Sequence, residues 1–300
     1  MKKRLPAAAA SLALLLTGCG QTVSPASTAE TQQATPAPQA TAAETVSEET
    51  YPLTVTFLKV GKADGIVLQT ANHTVVIDCG EKGDGSRIND ILAKSGVTTI
   101  DCMILTHFDQ DHIGGAPEVL ESYPVQQVIA ADYTESGEEY KDLCKALEAQ
   151  QLTMQQPTEE MTFTFDDCTF TVCPHEASNY KNSFDNNCSL VTKLVHHDNV
   201  LLFTGDAMEE RLAEIMDIGD CDLLKVPYHG RELGNLEIFL DAVTPEYAVI
   251  CTSKPEISWV TVKQLESRSI ATYITGQDGD ITVVSDGTTL TVETSKKKKD

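Results

Sequence analysis

Two histidines and two aspartates lie within six consecutive positions, His107 to His112, in the segment THFDQDHIGG. A surface loop has no need of this density of nitrogen and oxygen donors. Imidazole nitrogens and carboxylate oxygens bind Zn²⁺ at roughly 2.0 to 2.2 Å and also suit Mn²⁺ or Fe²⁺. The segment therefore indicates a metal site, although a capped helix with a hydrogen-bonded histidine would explain Asp111 and His112 alone equally well.

Two further polar clusters also follow short apolar strands. CMIL precedes the first cluster, VLLF is followed by TGD, which ends at Asp206, and DLLKV is followed by PYHG, which contains His229. Side chains at the same ends of neighbouring strands can converge, and active sites of open α/β sheets lie at the carboxyl ends of their strands. The three clusters together favour one metal site over three unrelated structural explanations.

The elements that would position these clusters are predicted from the pattern of apolar residues. From Tyr51 onward, β-branched and apolar runs alternate with amphipathic segments, which indicates an α/β domain with more strand than a doubly wound fold. Strands are predicted at 53–60, 65–70, 74–80 and 102–105, and hairpins at 161–173 and 189–204. Helices are predicted from Ser86, as the cap, to Gly96, and at 138–150, 207–216 and 235–243.

The start of the chain has the pattern of an export signal. Three basic residues precede an apolar run that is shorter than the roughly 20 residues of a bilayer span. The sequence LTGC, which ends at Cys19, resembles a bacterial lipobox, in which the cysteine becomes the acylated first residue. We therefore expect residues 1–19 to be a lipoprotein signal and Cys19 to anchor the protein in membrane lipid at the extracytoplasmic face of the cell membrane. An ordinary cleaved signal with a chance cysteine is the alternative.

The rest of the chain divides by composition. Residues 20–50 are almost entirely Thr, Ala, Gln, Pro, Ser and Glu, which cannot bury a core, so we expect a disordered linker there. The folded domain is predicted at 51–294, and 295–300 is a Lys-rich tail.

The formal charge of −23 comes from 22 basic and 45 acidic residues. It counts against broad binding of nucleic acid, which depends mostly on Lys and Arg contacts to phosphate. Phosphate chemistry at one site remains compatible with this charge, because bound divalent cations draw an anion into a negative pocket.

The first cluster resembles the motif His-x-His-x-Asp-His of the metallo-β-lactamase superfamily, here His107-x-Asp109-x-Asp111-His112. The likeness is greater to the hydrolase domain of the ComEC competence proteins, in which VTFLDVGQGDA, LTHPDADHIGG, NxxSLVL, LLTGD and KVPHHGS follow one another. This chain has VTFLKVGKADG, LTHFDQDHIGG, DNNCSLVTKL, LLFTGDA and KVPYHG in the same order. The resemblance covers residues 55 to 293 and implies an αββα sandwich, that is, two mixed β-sheets flanked by helices.

The resemblance also implies the ligands of one or two divalent ions, Zn²⁺ or Mn²⁺. They are the histidines and aspartates of the three clusters: His107, Asp109, Asp111, His112, Asp206 and His229. One ion would lie between Asp111, His112 and His229, and the other between His107 and Asp109, with Asp206 bridging the two. Asp111 and Asp206 would be the catalytic residues.

Three further residues are implied around these ligands. Asp78 would orient them from behind, and Asn186 and Asn187 stand where many superfamily members have another histidine. Because Asp109 replaces a histidine, its site is rich in oxygen and should tolerate Mn²⁺.

Paired cations about 3.5 to 4 Å apart activate water and stabilise charge on the attacked group, and a phosphodiester suits such a pair. We therefore expect a membrane-tethered, metal-dependent phosphodiesterase or nuclease, with DNA or another phosphodiester as substrate. One alternative is a hydrolase of another extracellular ester or amide, such as a teichoic acid substituent or a β-lactam. Another is a non-catalytic binding module.

Several positions depart from the ComEC pattern. Tyr228 replaces the first histidine of HHGS, Arg231 follows Gly230, and the segment 253–259 lacks the late histidine of that branch. Lys59 and Lys62 also replace an aspartate and a glutamine, and we interpret them as solvated side chains rather than contacts to an anionic substrate.

The remaining histidines carry little weight. His196 and His197 lie at a predicted hairpin tip, where exposed polar residues are usual, and His73 lies in another turn. His175 follows a strand and is a weak candidate for contact with substrate.

Overall fold

The computed structural model describes residues 51–296. The predicted signal with Cys19, the predicted linker and the last four residues of the tail lie outside the described residues. Among residues 51–296, no helix combines the length and the apolar character that a membrane span requires.

Strands and helices alternate along the described residues. The strands are β1 Leu53–Phe57, β2 Gly65–Gln69, β3 Thr74–Cys79, β4 Ile100–Leu105, β5 Val125–Ala130, β6 Met154–Gln155, β7 Met161–Phe165, β8 Cys168–Cys173, β9 Val191–His196, β10 Asn199–Phe203, β11 Leu223–Lys225, β12 Tyr247–Ile250, β13 Ala271–Ile274, β14 Ile281–Ser285 and β15 Leu290–Thr294. The helices are α1 Gly85–Lys94, α2 Gln110–Ile113, α3 Ala116–Ser122, α4 Glu138–Ala149, α5 Phe184–Asn187, α6 Glu209–Glu214, α7 Leu236–Val243, α8 Trp259–Ser267 and α9 Thr275–Asp278.

The strands form two mixed sheets. One has the order β15-β14-β1-β2-β3-β4-β5-β6 and the other β13-β12-β11-β10-β9-β8-β7. Strands β3, β4 and β5 are parallel to one another, and so are β10, β11 and β12. The carboxyl ends of each parallel group therefore lie at one edge of its sheet, and the polar clusters follow those ends.

The two sheets pack face to face because alternate residues of a strand point to opposite faces. In β3, Val75 and Ile77 lie in the core between the sheets, whereas Val76 faces the core under α1, α3 and α4. Across the sheets, the rings of Phe57 and Phe203 stack with centroids 6.0 Å apart. Helices α6, α7 and α8 cover the outer face of the second sheet. The expected αββα sandwich is confirmed.

Helix α1 follows its predicted face but not its predicted start. Ile88 and Leu92 are buried, as their spacing of four residues predicts. The helix begins at Gly85 after Asp84, so the prediction that Ser86 caps it is wrong. The Ser86 hydroxyl instead donates to the carbonyl oxygen of Gly83 at 2.9 Å, because it already lies in the first turn.

Candidate metal centre

The loops that follow β3, β4 and β10 approach one another at one end of the sandwich. Glycine permits this approach at two positions. A Cβ atom at Gly115 would lie 2.2 Å from the carbonyl oxygen of Cys79, and one at Gly205 would lie 2.9 Å from the Cβ of Thr106. Both distances are too short for real side chains, so glycine at these positions allows the loop after β4 to approach the end of β3 and the loop after β10 to approach the end of β4.

Ligand atoms of four residues converge at this end of the sandwich. His229 Nε2 lies 3.0 Å from Asp206 Oδ2, 3.3 Å from Asp111 Oδ2 and 3.4 Å from His112 Nε2. His112 Nε2 lies 3.5 Å from Asp206 Oδ1. Ligands of a tetrahedral Zn²⁺ at about 2.0 to 2.2 Å are about 3.3 to 3.6 Å apart. The structure thus places the predicted ligands of the first ion at distances that suit one cation.

The two imidazole rings are held from behind. His112 Nδ1 lies 2.8 Å from Asp78 Oδ2, and the other oxygen of Asp78 accepts the backbone N–H of Thr106 at 2.8 Å. His229 Nδ1 donates to the carbonyl oxygen of Cys251 at 2.9 Å. Each ring therefore directs Nε2 toward the shared space, and Asp78 lies behind the ring of His112.

The backbone near these ligands is strained. Asp78, Tyr228 and His229 have φ values of 55°, 50° and 50°. Residues other than glycine in this left-handed region cost on the order of 1 to 3 kcal/mol each, and such strain concentrates at functional sites. The turn at Tyr228–Gly230 is what directs the ring of His229 toward Asp206.

A second space lies beside the first. His107 Nε2 is buried without a hydrogen-bond partner and lies 3.5 Å from Asp109 Oδ2. The rings of His107 and His112 are 4.0 Å apart, and Asn186 Nδ2 lies 3.4 Å from Asp206 Oδ2. Asp206 therefore contacts Asn186 in addition to His112 and His229, and the pair of His107 and Asp109 lies next to His112.

Asn187 is engaged elsewhere. Its Oδ1 accepts the backbone N–H of Arg211 at 3.0 Å, and its Nδ2 donates to the carbonyl oxygen of Asn182 at 2.9 Å. The side chain joins α5 to α6, whereas Asn186 is the amide that reaches Asp206.

The buried donors fit one or two divalent cations. His107 Nε2 and Asp206 Oδ1 are both buried without a hydrogen-bond partner. A buried polar atom in this state costs about 1 to 3 kcal/mol, which a coordinated cation would offset. The mixture of imidazole and carboxylate donors suits Zn²⁺, Mn²⁺ or Fe²⁺.

The charges of these residues depend strongly on one another. Burial opposes the charged form of His112, but the carboxylates of Asp206 and Asp78 outweigh it and raise its pKa to about 10. Burial likewise opposes ionisation of Asp206, but His229 and His112 hold its pKa well below the ordinary value. Protons on the histidines thus balance the carboxylates, and a bound cation would displace these protons.

Two residues of the site were missed from the sequence, Asp64 and Lys225. The Lys225 ammonium is fully buried, pairs with Asp64, donates to the carbonyl oxygen of Gly205 at 2.7 Å and lies 3.7 Å from Asp206 Oδ1. The sequence signal for Lys225 was its position inside the apolar strand DLLKV, since a buried lysine requires an acidic partner.

Asp64 belongs to a cluster with His112, Asp206 and His229 whose ligand atoms all lie within 4.8 Å of one another. However, its oxygens lie 3.5 Å from His229 Nδ1 and 3.9 Å from His112 Nδ1, the ring atoms that face away from Asp206. We therefore place Asp64 behind the ligands and Asp111 among them.

The interpretation of Lys62 as a solvated residue is wrong. Only 25% of its side chain is exposed, and its ammonium pairs with the carboxylate of Asp111. Burial lowers its pKa, but the hydrogen bond to Asp111 outweighs burial and raises it. Lys59, by contrast, is exposed.

A cleft of about 450 Å³ opens onto this site, and its lining is mostly acidic: Lys62, Glu81, Phe108, Asp109, Gln110, Asp111, Glu135 and Asp185. Arg231 lies close enough to Lys62 to oppose its charge. The guanidinium of Arg231 also lies 5.5 Å from the ring centre of Tyr228 and pairs with Glu256 at 3.4 Å. Tyr228 and Arg231, the two residues that differ from the HHGS pattern, therefore contact each other.

The other histidines lie away from these ligands. The prediction that His196 is an exposed turn residue is wrong, because it is the last residue of β9 and is fully buried. His197 does lie in the turn, with 33% of its side chain exposed. His73 pairs with Asp166 at 3.2 Å. His175 borders a separate cleft with Arg211 and Glu214. This position does not support the prediction that His175 contacts the substrate.

Comparison with known proteins is consistent with this geometry. The model of the Metallo-beta-lactamase superfamily matches residues 59–175. Recombination protein 2 of Haemophilus influenzae is 26% identical over 204 residues, which cover 66% of this chain and 24% of that protein. ComE operon protein 3 of Bacillus subtilis is 27% identical over 197 residues, which cover 63% of this chain and 25% of that protein. The match thus spans about a quarter of the length of each relative.

Two solved structures share the fold. The metallo-beta-lactamase fold protein YhfI from Bacillus subtilis has a TM-score of 0.55 and 12% identity, with 78% of this chain and 100% of that chain covered. CmlA, a diiron β-hydroxylase from Streptomyces venezuelae, has a TM-score of 0.50 and 12% identity, with 75% and 53% covered. At these identities the likeness concerns the fold alone.

Proposed function

Because this chain carries a metallo-beta-lactamase domain, we propose that it is a metal-dependent hydrolase that cleaves a phosphodiester, such as DNA. The observation that carries this proposal is the convergence of His112, His229 and Asp206 on one space, with a second pair of donors, His107 and Asp109, beside it. Bound divalent cations would activate water and stabilise the charge that develops on a phosphoryl oxygen.

The residues around the donors would hold them in place during the reaction. Asp78 and the carbonyl of Cys251 keep the two imidazoles oriented, and a fixed direction of Nε2 is what a metal site needs. The ammonium of Lys225 stands 3.7 Å from Asp206 and restrains the residue that both cations would share.

Lys62 and Arg231 would bind the anionic substrate at the rim. Lys62 is partly exposed beside Asp111, and 44% of the side chain of Arg231 is exposed. Once cations neutralise Asp111, the ammonium of Lys62 would be released toward a phosphate oxygen. Arg231 stands at the position of the serine in the HHGS pattern and would offer a guanidinium to the phosphate.

We also propose that the enzyme acts outside the cytoplasm, tethered to membrane lipid through an acylated Cys19 and the linker at 20–50. The proposal rests on the export pattern and the LTGC sequence. Labelled fatty acid should be incorporated by the chain and not by Cys19→Ser. Equal labelling of the two would contradict the anchor.

A second candidate function is favoured by the acidic side of the cleft. Glu81, Glu135 and Asp185 line the cleft, and burial, together with repulsion from Asp109 and Glu135, raises the pKa of Asp185. This potential repels a long polyanion and attracts a substrate with a positive group near the bond that is cleaved. Hydrolysis of another ester or amide, as in a cell-wall substituent, fits this side better than DNA.

The test begins with the metal content of the full chain, followed by hydrolysis assays with Zn²⁺ or Mn²⁺. The substrates are single-stranded DNA, double-stranded DNA, a chromogenic phosphodiester and a chromogenic cephalosporin. Asp111→Asn and His229→Ala should each lower kcat/KM by at least about 100-fold, since both remove a cation ligand. His73→Ala, which changes a histidine in a distant turn, is the matched control and should keep full activity.

The outcomes separate the candidate functions. Cleavage of phosphodiesters that both ligand variants lose supports the proposal. Bound metal with turnover only of the cephalosporin, whose cleaved bond is an amide, would favour the second function. Bound metal without any turnover would indicate a binding module. A chain that binds no metal would contradict both proposed hydrolase functions.

A further inference from the structure

A second group of metal-binding side chains lies at the far end of β10 from Asp206. Asp167 lies in the turn between β7 and β8, His196 ends β9, and His197 lies in the turn that leads into β10. Ligand atoms of these three residues lie within 4.8 Å of one another. The five residues of β10 span about 17 Å, so this group is separate from the metal centre.

Hydrogen bonds determine which nitrogen of His196 carries a proton. Ser285 Oγ donates its one proton to Asn199 Oδ1 at 2.7 Å and accepts the backbone N–H of Gly287 at 3.1 Å. His196 Nδ1 lies 2.7 Å from the same hydroxyl oxygen. Because that oxygen has no second proton, Nδ1 must donate to it. Neutral His196 therefore has its lone pair on Nε2.

That lone pair is buried and has no partner. The side chain of His196 is completely buried, and Nε2 forms no hydrogen bond. It lies 3.5 Å from Asp167 Oδ2, and His197 Nε2 lies 2.9 Å from the same oxygen. Ligands of a tetrahedral cation at about 2.0 to 2.2 Å are about 3.3 to 3.6 Å apart, so a small movement of the exposed His197 completes the arrangement.

We propose that Asp167, His196 and His197 bind a transition-metal ion, with Zn²⁺ as the expected ion. Two imidazoles and one carboxylate suit Zn²⁺, Ni²⁺ or Cu²⁺ and disfavour Mg²⁺ and Ca²⁺, which prefer oxygen donors. Asp167 and His197 are 23% and 33% exposed, so the ion enters from solvent and water completes its coordination.

The ion would act on the fold rather than on catalysis. It would join the β7–β8 turn to the β9–β10 turn, and Ser285, which holds His196, belongs to β14 of the other sheet. A ligand that binds only the folded chain stabilises it, so Zn²⁺ should raise the melting temperature through this site.

The experiment compares the full chain with His197→Ala, Asp167→Asn and His73→Ala after treatment with a chelator. Zn²⁺ bound per chain is measured by equilibrium dialysis and elemental analysis, and Tm is measured with Zn²⁺ and with Mg²⁺. The first two variants should bind one Zn²⁺ fewer than the full chain, or bind it at least tenfold more weakly. His73→Ala removes a histidine from a neighbouring turn and should bind as the full chain does.

Because His196 is buried, His196→Asn serves as the variant at that position. The asparagine amide can still donate toward Ser285, but it lacks Nε2, so the variant should fold and lose the ion. Zn²⁺ should raise the Tm of the full chain and of His73→Ala by several degrees more than that of the other variants, and Mg²⁺ should not. Equal Zn²⁺ stoichiometry and equal Tm increases in all variants would overturn the proposal.

Discussion

The two histidine and carboxylate groups at opposite ends of β10 contain the same residue types but differ in how their rings are held. In the metal centre, both His112 and His229 have Nδ1 bonded to a buried acceptor. In the second group, only His196 is held in this way, and His197 lies in an exposed turn. The difference teaches that buried partners behind the rings, more than the donors themselves, distinguish a preorganised site from a weaker one.

The supporting charges also differ. Asp64 and Lys225 form a fully buried ion pair directly behind the metal centre. Behind His196, the partners are the neutral hydroxyl of Ser285 and the amide of Asn199. The metal centre thus depends on buried charge, whereas the second group depends on neutral hydrogen bonds, and each prediction below tests one side of this contrast.

The largest expected effect is on the buried ion pair. Lys225→Met should lower the free energy of unfolding by about 3 to 5 kcal/mol, because it removes the ammonium that pairs with the buried carboxylate of Asp64. Urea unfolding of the chelator-treated chain measures this. Lys193→Met is the control, since its ammonium donates only to the carbonyl of Ile218 at 2.7 Å. Equal decreases in the free energy of unfolding for the two variants would contradict a special contribution of the ion pair.

The second largest effect is expected from changing Asp78, which orients the ligand His112. Asp78→Asn should weaken binding of the first cation by about 10- to 100-fold, because it replaces the charged acceptor that orients His112. Ser285→Ala is the matched change in the second group. It should leave binding of the first cation unchanged and weaken binding of Zn²⁺ at His196. Metal titrations of both variants decide the matter. If Ser285→Ala impairs the metal centre as much as Asp78→Asn does, the two groups are not independent.

A smaller effect is expected at Asp166, beside the second group. Burial opposes its ionisation, but hydrogen bonds from Thr70 and Asn72 outweigh burial and lower its pKa. A lowered carboxyl pKa stabilises the fold above the unfolded value of about 3.9, and this contribution is lost as the pH falls below it. Because Asp166 is exposed and solvent screens its charge, Asp166→Asn should cost at most about 1 kcal/mol at pH 7 and progressively less below pH 4. Urea unfolding at pH 7 and pH 3 measures this. The same difference in the free energy of unfolding between the full chain and Asp166→Asn at both pH values would contradict the prediction.

The smallest effect is expected on catalysis from the far end of β10. His197→Ala should keep kcat/KM within about twofold of the full chain, because β10 separates the turn from Asp206 by about 17 Å. Steady-state assays on the best substrate measure this. A tenfold loss would mean that the second group supports the metal centre.

Much of the fold follows from local patterns. The strands at 53–57, 65–69 and 74–79 and the hairpins at 161–173 and 191–203 agree closely with the sequence predictions, because period-two alternation is a local signal. Short helices such as α2 and α5 were not predicted, since four residues carry too little periodicity. The burial of His196 was missed because its turn is covered by the β14–β15 turn, nearly 90 residues later, through contacts such as Asp198 N–H to Gly287.

The sequence by itself determined which donors follow which strands, since His107, Asp206 and His229 each come directly after an apolar run. Only the tertiary structure decided which atoms meet. His112 and His229 are 117 residues apart in the chain, yet their Nε2 atoms lie 3.4 Å from each other. It also decided that Lys62 pairs with Asp111 and that Asp64 and Lys225 lie behind the ligands. Such contacts depend on how two sheets pack, and local sequence patterns carry no record of that packing.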